Sequence, residues 1–213
     1  RHSRLFRMDP LTRELRNLSR RGHGSFTRRE ARAAGATDGQ LRRRVENATL
    51  VRIGCHSFRL RSQPWTPLDE LRAIVRDIGG AVVVCRSTAA ALLGLDTDGL
   101  DGSFDLAVER GRCVGREGHR IHTFTSLRDD DRTVGAGLAT TAIERTLADL
   151  ARSSAPTALA TLVHAAIDRD LTTTDLLRRH VDHRRGPGRA GMDAILGALG
   201  GRADRERPDD RVR

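Results

Sequence analysis

The sequence predicts an α+β fold: an N-terminal winged helix-turn-helix followed by a small-sheet α+β domain with C-terminal helices. Three observations lead there. Leucines recur at helical spacing through the N-terminal third, and two short apolar–polar segments follow around Gly54-Cys55-His56. Gln63-Pro64-Trp65-Thr66-Pro67 then marks a linker, after which strand-like apolar runs give way to a helical period beyond Thr140. Charge divides in the same place. The first 62 residues hold 16 Arg against 5 acids, about +11, and the remaining 151 hold 22 Arg against 23, about −1.

Leu11, Leu15 and Leu18 predict a first helix that ends at Gly22 and Gly24. Thr27-Arg28-Arg29-Glu30 is a capping-box pattern opening a second helix to about Ala34, with Gly35 in a left-handed position. Thr37 or Asp38 caps a third helix to about Asn47, with Leu41 and Val45 on its inner face. Residues 50–53 and 57–60 form a hairpin, the wing, around Gly54-Cys55-His56.

Thr66 caps the next helix, with Pro67 and Asp69 in its first turn and a stripe of Leu71, Ile74, Val75 and Ile78. Residues 81–85 read as a buried strand, and Ser87 as the cap of a small-residue helix over 88–93. Residues 104–108 and 120–124 are further strands. Thr141 and Glu144 form a capping box ahead of Leu147 and Leu150, and Pro156 opens a helix bearing Leu159, Leu162, Val163 and Ile167. Two short helices follow, near 174–181 and 190–199. The domains so drawn are 8–62, 68–200 and a disordered tail over 201–213.

Several function classes are disfavoured. No apolar run approaches the roughly 20 residues needed to span a bilayer, and residues 1–7 lack the apolar core of a signal peptide, so Met8 reads as the initiator. Cys55, Cys85 and Cys113 are odd in number and scattered, which predicts neither a disulfide framework nor a zinc site and fits a cytoplasmic protein. All 38 basic residues are Arg, so no catalytic amine exists. His119 and His122 fall on opposite faces of a strand. His180 and His183 read as a solvated helix end, and Asp129-Asp130-Asp131 as a solvated turn. Asp105 and Glu109 lack the Lys of a metal-dependent nuclease motif, Ser87 lacks a G-x-S-x-G setting, and Gly111 with Gly115 makes no phosphate loop. No catalytic residue, cofactor or metal is expected, and the chain reads as a non-enzyme.

The basic cassette points instead to double-stranded DNA as partner. With Leu41 and Val45 inward, Arg43 lies opposite, flanked by Gln40 and Asn47 and then by Arg42 and Arg44. Arg and Gln match guanine and adenine edges in a major groove, so Arg43 is the expected base reader. Arg28 and Arg29 at the second helix, and Arg52, Arg59 and Arg61 along the wing, suit phosphates.

Gly24-Ser-Phe-Thr-Arg-Arg-Glu-Ala-Arg-Ala-Ala-Gly35, Leu41-Arg-Arg-Arg-Val45, Leu50-Val-Arg-Ile53 and Phe58-Arg-Leu60 together resemble the N-terminal domain of AbiEi-type antitoxins. Arg86-Ser-Thr-Ala-Ala-Ala-Leu-Leu-Gly94, the 104–108 strand, residues 140–150 and Leu171-Thr-Thr resemble the segments that follow in actinobacterial members. The resemblance spans residues 12–200, with His56 standing where the family has a glycine before the last wing strand, so Gly54 is expected to supply the turn. It implies a transcriptional regulator whose winged helix binds operator DNA and whose second domain neutralises a nucleotidyltransferase-like toxin encoded nearby. Many such relatives continue into a very-short-patch-repair-like endonuclease domain. The sequence ends where that domain begins, so no nuclease core is expected. Two readings stand beside the regulator: the DNA-targeting portion of such an endonuclease, and an antitoxin whose winged helix serves only as a protein-interaction surface.

Overall fold

The computed structural model describes residues 9–95, 99–112, 114–125, 127–184 and 191–205. The chain is α+β and divides into two units, Arg1–Gly80 and Ala81–Arg213.

The first unit runs α1 (Pro10–Arg21), β1 (Ser25–Thr27), α2 (Arg28–Ala33), α3 (Asp38–Glu46), β2 (Leu50–Arg52), β3 (Ser57–Leu60) and α4 (Pro67–Ile78). Up to β3 this is the element order of a winged helix, with an antiparallel sheet ordered β1-β3-β2. Both helix entries form as their residues dictate. The Thr27 hydroxyl accepts from the Glu30 amide at 3.2 Å while the Glu30 carboxylate takes the Thr27 amide at 2.8 Å; Thr37 and Gln40 repeat the arrangement. Gly35 ends α2 at φ +89°, where a Cβ would be strained. The core joins Leu15, Phe26, Ala31, Leu41, Leu50, Phe58 and Leu60. Phe26 and Phe58 face each other across the ladder with ring centroids 6.1 Å apart.

Strand β1 was not anticipated, because three residues between a turn and a cap are too short to show a period. Helix α4 also departs from expectation. The sequence assigns it to the second domain, yet it belongs to the first unit and packs on β1 and β3. Its Arg76 donates to the Gly22 and Ser25 carbonyls at 3.4 and 3.3 Å and pairs with Glu30. Burial works against ionisation of Glu30, but the bonds from Thr27 and Arg76 outweigh it and hold its pKa below the usual value.

The second unit holds β4 (Val82–Val84), α5 (Arg86–Leu92), β5 (Asp105–Glu109), β6 (Arg120–Phe124), β7 (Arg132–Gly135), β8 (Leu138–Thr141) and helices α6 (Ile143–Leu150), α7 (Pro156–Asp168), α8 (Thr174–Arg184) and α9 (Met192–Arg205). The sheet is ordered β6-β5-β4-β8-β7. All three valines of the central strand β4 are buried, as its unbroken apolar run requires. The hairpin β7–β8 widens the expected three strands to five; its sequence lacks a clean alternation. Helices α6 to α9 share a core of Leu147, Leu159, Val163, Leu177, Val181 and Ile195.

Four local expectations change. Ser87 does not cap α5: Cys85 is the N-cap residue, and the Ser87 hydroxyl donates to Asp105 at 2.5 Å. The Thr141–Glu144 capping box is not formed, since Ala142 is the N-cap of α6 and Glu144 accepts from Thr172 at 2.5 Å. Asp129–Asp131 is a short 3-10 turn and not a wholly solvated one, because Asp131 is fully buried and paired with Arg184. The backbone of 202–205, within the expected disordered tail, is helical, and 206–213 lie outside the described residues. Cys55 and Cys85 are free thiols, and Cys113 lies outside the described residues. Among the described residues, no helix is long and apolar enough to cross a membrane.

Candidate nucleic-acid interface

Helix α3 buries Leu41 and turns Arg42 and Arg43 outward. Both are exposed, as is Arg29 in the first turn of α2, and none of the three side chains has an ion pair or hydrogen bond among the described residues. The other expected contact residues are already engaged. Arg44 pairs with Asp9 at 2.7 Å, tying α3 to the N-cap of α1, and also reaches the Gln40 carbonyl at 3.4 Å. The Gln40 side-chain oxygen accepts from the Thr37 amide at 2.9 Å, which leaves its amide N–H groups to face outward. Asn47 caps the end of α3 and accepts from the Thr49 hydroxyl at 2.8 Å. Arg28 stands 3.9 Å from Asp38 with a buried, unbonded Nε, and its backbone N–H donates to the His56 carbonyl at 2.6 Å.

The wing arginines serve the wing itself. Arg52 donates to the Gly54 carbonyl at 2.7 Å and the Cys55 carbonyl at 3.1 Å, folding over its own turn. Arg59 lies over the Trp65 ring, 5.0 Å from its centroid, and Arg61 donates to the Ala48 carbonyl at 3.0 Å. These three read from sequence as phosphate ligands; the structure gives each an internal partner.

Asp77 on α4 is the element sequence reasoning missed. It is 5% exposed and accepts from the wing amides of Cys55 at 3.0 Å and His56 at 2.6 Å. Gly54 does not supply a left-handed turn. It is glycine because a Cβ there would stand 2.3 Å from the Asp77 carboxylate. A carboxylate late in a helix carries no sequence signal of a partner 22 residues upstream.

The second unit gathers Ser87, Asp105, Arg120 and His122, chemistry-bearing residues that the sequence reading kept apart. Asp105, its side chain 4% exposed, accepts from Arg120 Nε at 2.8 Å, Arg120 Nη2 at 2.9 Å and Ser87, and lies 2.8 Å from His122 Nε2. Desolvation opposes its charge, but the bonds from Arg120, Ser87 and His122 prevail and bring its pKa to about 2. So acidic a carboxylate is a poor base for the Ser87 hydroxyl, and His122 bonds Asp105 on a separate oxygen from Ser87 instead of bridging the two. The grouping ties β5, β6 and α5 together. His119 stacks on Phe104 at 5.1 Å, on the other side from His122. His180 is partly buried, and burial followed by the nearby Arg184 lowers its pKa.

No protein-family model matches the chain, and no curated protein matches it. Among solved structures, the crystal structure of the RV2827C protein from Mycobacterium tuberculosis is similar, with a TM-score of 0.61 and 18% identity over 91% of this chain and 78% of that one. At that identity the likeness is one of fold.

Proposed function

We propose that the first unit binds duplex DNA through α3 and the N-terminus of α2, and that the chain is a DNA-binding transcriptional regulator of the AbiEi antitoxin type. The observation that carries the reading is the set Arg29, Arg42 and Arg43: three exposed guanidiniums without acid partners, on a winged-helix framework where Arg44, Arg52, Arg59 and Arg61 are held by internal partners. An unpaired, always-charged fork is available to phosphate or to guanine. The braced wing supports the same reading, since a preformed contact surface loses less entropy on binding. The second unit would hold a protein partner, a nucleotidyltransferase-like toxin in this reading. Two exposed large hydrophobics, Val134 on the edge strand β7 and Leu176 on α8, suit such a surface.

The test is fluorescence anisotropy of the full chain on labelled duplexes over a salt series. Six phosphate contacts correspond to a log–log slope of roughly −5. Arg43→Ala is expected to cost about 1–3 kcal/mol on the preferred site and relax its preference. Affinity indifferent to salt would overturn the proposal.

A further inference from the structure

Helix α1 carries a second basic face that the α3 reading does not use. Arg13, Arg16 and Arg20 recur at helical spacing opposite the buried Leu15, and all three are exposed. Arg16 and Arg20, one turn apart, line a notch of about 300 Å3 with Leu60, Ser62 and Gln63. No carboxylate lines it. Several half-buried arginines elsewhere in the described residues do have an acid beside them, as Arg44 has Asp9, Arg76 has Glu30 and Arg145 has Asp149. Like charges at i and i+4 repel, so the pair lacks the counter-charge that its geometry calls for.

The remaining lining is built to donate. Ser19, fully buried, gives its hydroxyl proton to the Gln63 side-chain oxygen. That bond fixes the Gln63 amide with its oxygen occupied and its N–H groups left to donate. The Ser62 hydroxyl is exposed beside it. Two guanidiniums, an amide N–H and a hydroxyl around one recess form a donor set for a phosphate oxyanion. The stripe also continues past the notch to Arg13. From Arg13 to Arg20 the helix rises about 10 Å, a length over which one DNA strand presents about three phosphates.

We propose that Arg16, Arg20, Ser62 and Gln63 form a second phosphate-binding notch for a nucleic-acid backbone, extended by Arg13 and separate from the α3 residues. The inference rests on the DNA-binding reading above, and the experiment separates the two. The full chain and its Arg16→Gln/Arg20→Gln and Arg42→Gln/Arg43→Gln variants are titrated with a 30-base-pair duplex across a salt series. The α1 variant is expected to lose about 1.8 from the magnitude of the log–log slope, two contacts at about 0.9 each, with its preference among duplex sequences unchanged. Charge reversal, Arg16→Glu/Arg20→Glu, is expected to weaken binding at least tenfold with thermal unfolding unaltered. An unchanged slope for the α1 variant, while the α3 variant loses slope, overturns the notch and leaves the DNA reading standing. Failure of the wild-type chain to bind any duplex overturns both. A titration with inorganic phosphate distinguishes the source: if the Gln63 side-chain N–H resonances move with phosphate and not with duplex DNA, the notch takes a free anion and the backbone proposal is wrong.

Discussion

In the second unit Arg120 grips Asp105 through two nitrogens at 2.8 and 2.9 Å, and Arg145 and Arg184 converge on Asp131, which has no exposed surface. In the first unit Arg29, Arg42 and Arg43 stand at the surface with no acid beside them. The residue type is the same, and its partner decides what it does. A guanidinium on a buried carboxylate offsets much of that group's desolvation cost, so losing it would leave a buried charge under-compensated. One facing water without a partner contributes little to stability and keeps its charge available for a ligand. In the second region acids and arginines are nearly equal in number, while the first carries eleven arginines in excess of its acids.

The largest effect that would break this comparison is at Asp131. Asp131→Ala leaves Arg145 and Arg184, about one-fifth exposed, without their shared anion, and strips the Arg128 amide of its acceptor at 3.0 Å. We expect a loss of about 3–5 kcal/mol in the urea unfolding of the second unit, with DNA affinity of the remaining folded chain unchanged. A loss below about 1 kcal/mol would show that the pairing is incidental.

Asp105 sharpens the contrast through pH. Its folded pKa of about 2 lies below the ordinary value of 3.8, so its stabilisation is complete above about pH 4 and disappears as pH falls toward 2. The difference corresponds to on the order of 2 kcal/mol. Denaturant midpoints between pH 5 and 2 should fall less in Asp105→Asn than in the wild type; parallel curves would remove Asp105 from the account.

The smallest expected effect lies in the first unit, at the brace behind the wing. Asp77→Asn turns two charge-assisted acceptor contacts, at 3.0 and 2.6 Å, into contacts with an amide that can satisfy only one of the two donors. A local cost of about 1–2 kcal/mol should appear as roughly tenfold faster hydrogen exchange at the Cys55 and His56 amides, with α1 to α3 protected as before. Uniformly faster exchange across the unit would make Asp77 a general core residue and not a wing brace.

Much of the fold was legible because its signals are local. Thr27 with Glu30, Thr37 with Gln40 and Thr66 with Asp69 each cap a helix three residues away, and β4 announces its burial by its own apolar run. Ser87, read as another local cap, failed because α5 begins at Arg86, which places Ser87 inside the helix, where its hydroxyl donates to Asp105, 18 residues on. Arg43 at the surface of α3 follows from the positions of Leu41 and Val45 alone. That Arg44 is held by Asp9 and that Asp77 braces the wing do not follow, because each needs a partner brought close by the chain's path.

By itself, then, the sequence determined the α+β class, most helix starts, the central strand, the basic character of the first region and the outward face of α3. These rest on backbone propensity, capping and periodicity over a few residues, which the chain carries wherever it folds. Tertiary structure alone decided that α4 belongs with the wing, that the second sheet has five strands, and which arginines are bound and which are left over. Those outcomes depend on contacts between residues far apart in the chain, such as Asp105 with Arg120 and Asp131 with Arg184, 15 and 53 residues apart, and a contact that distant exists only once packing has closed the loop between its members.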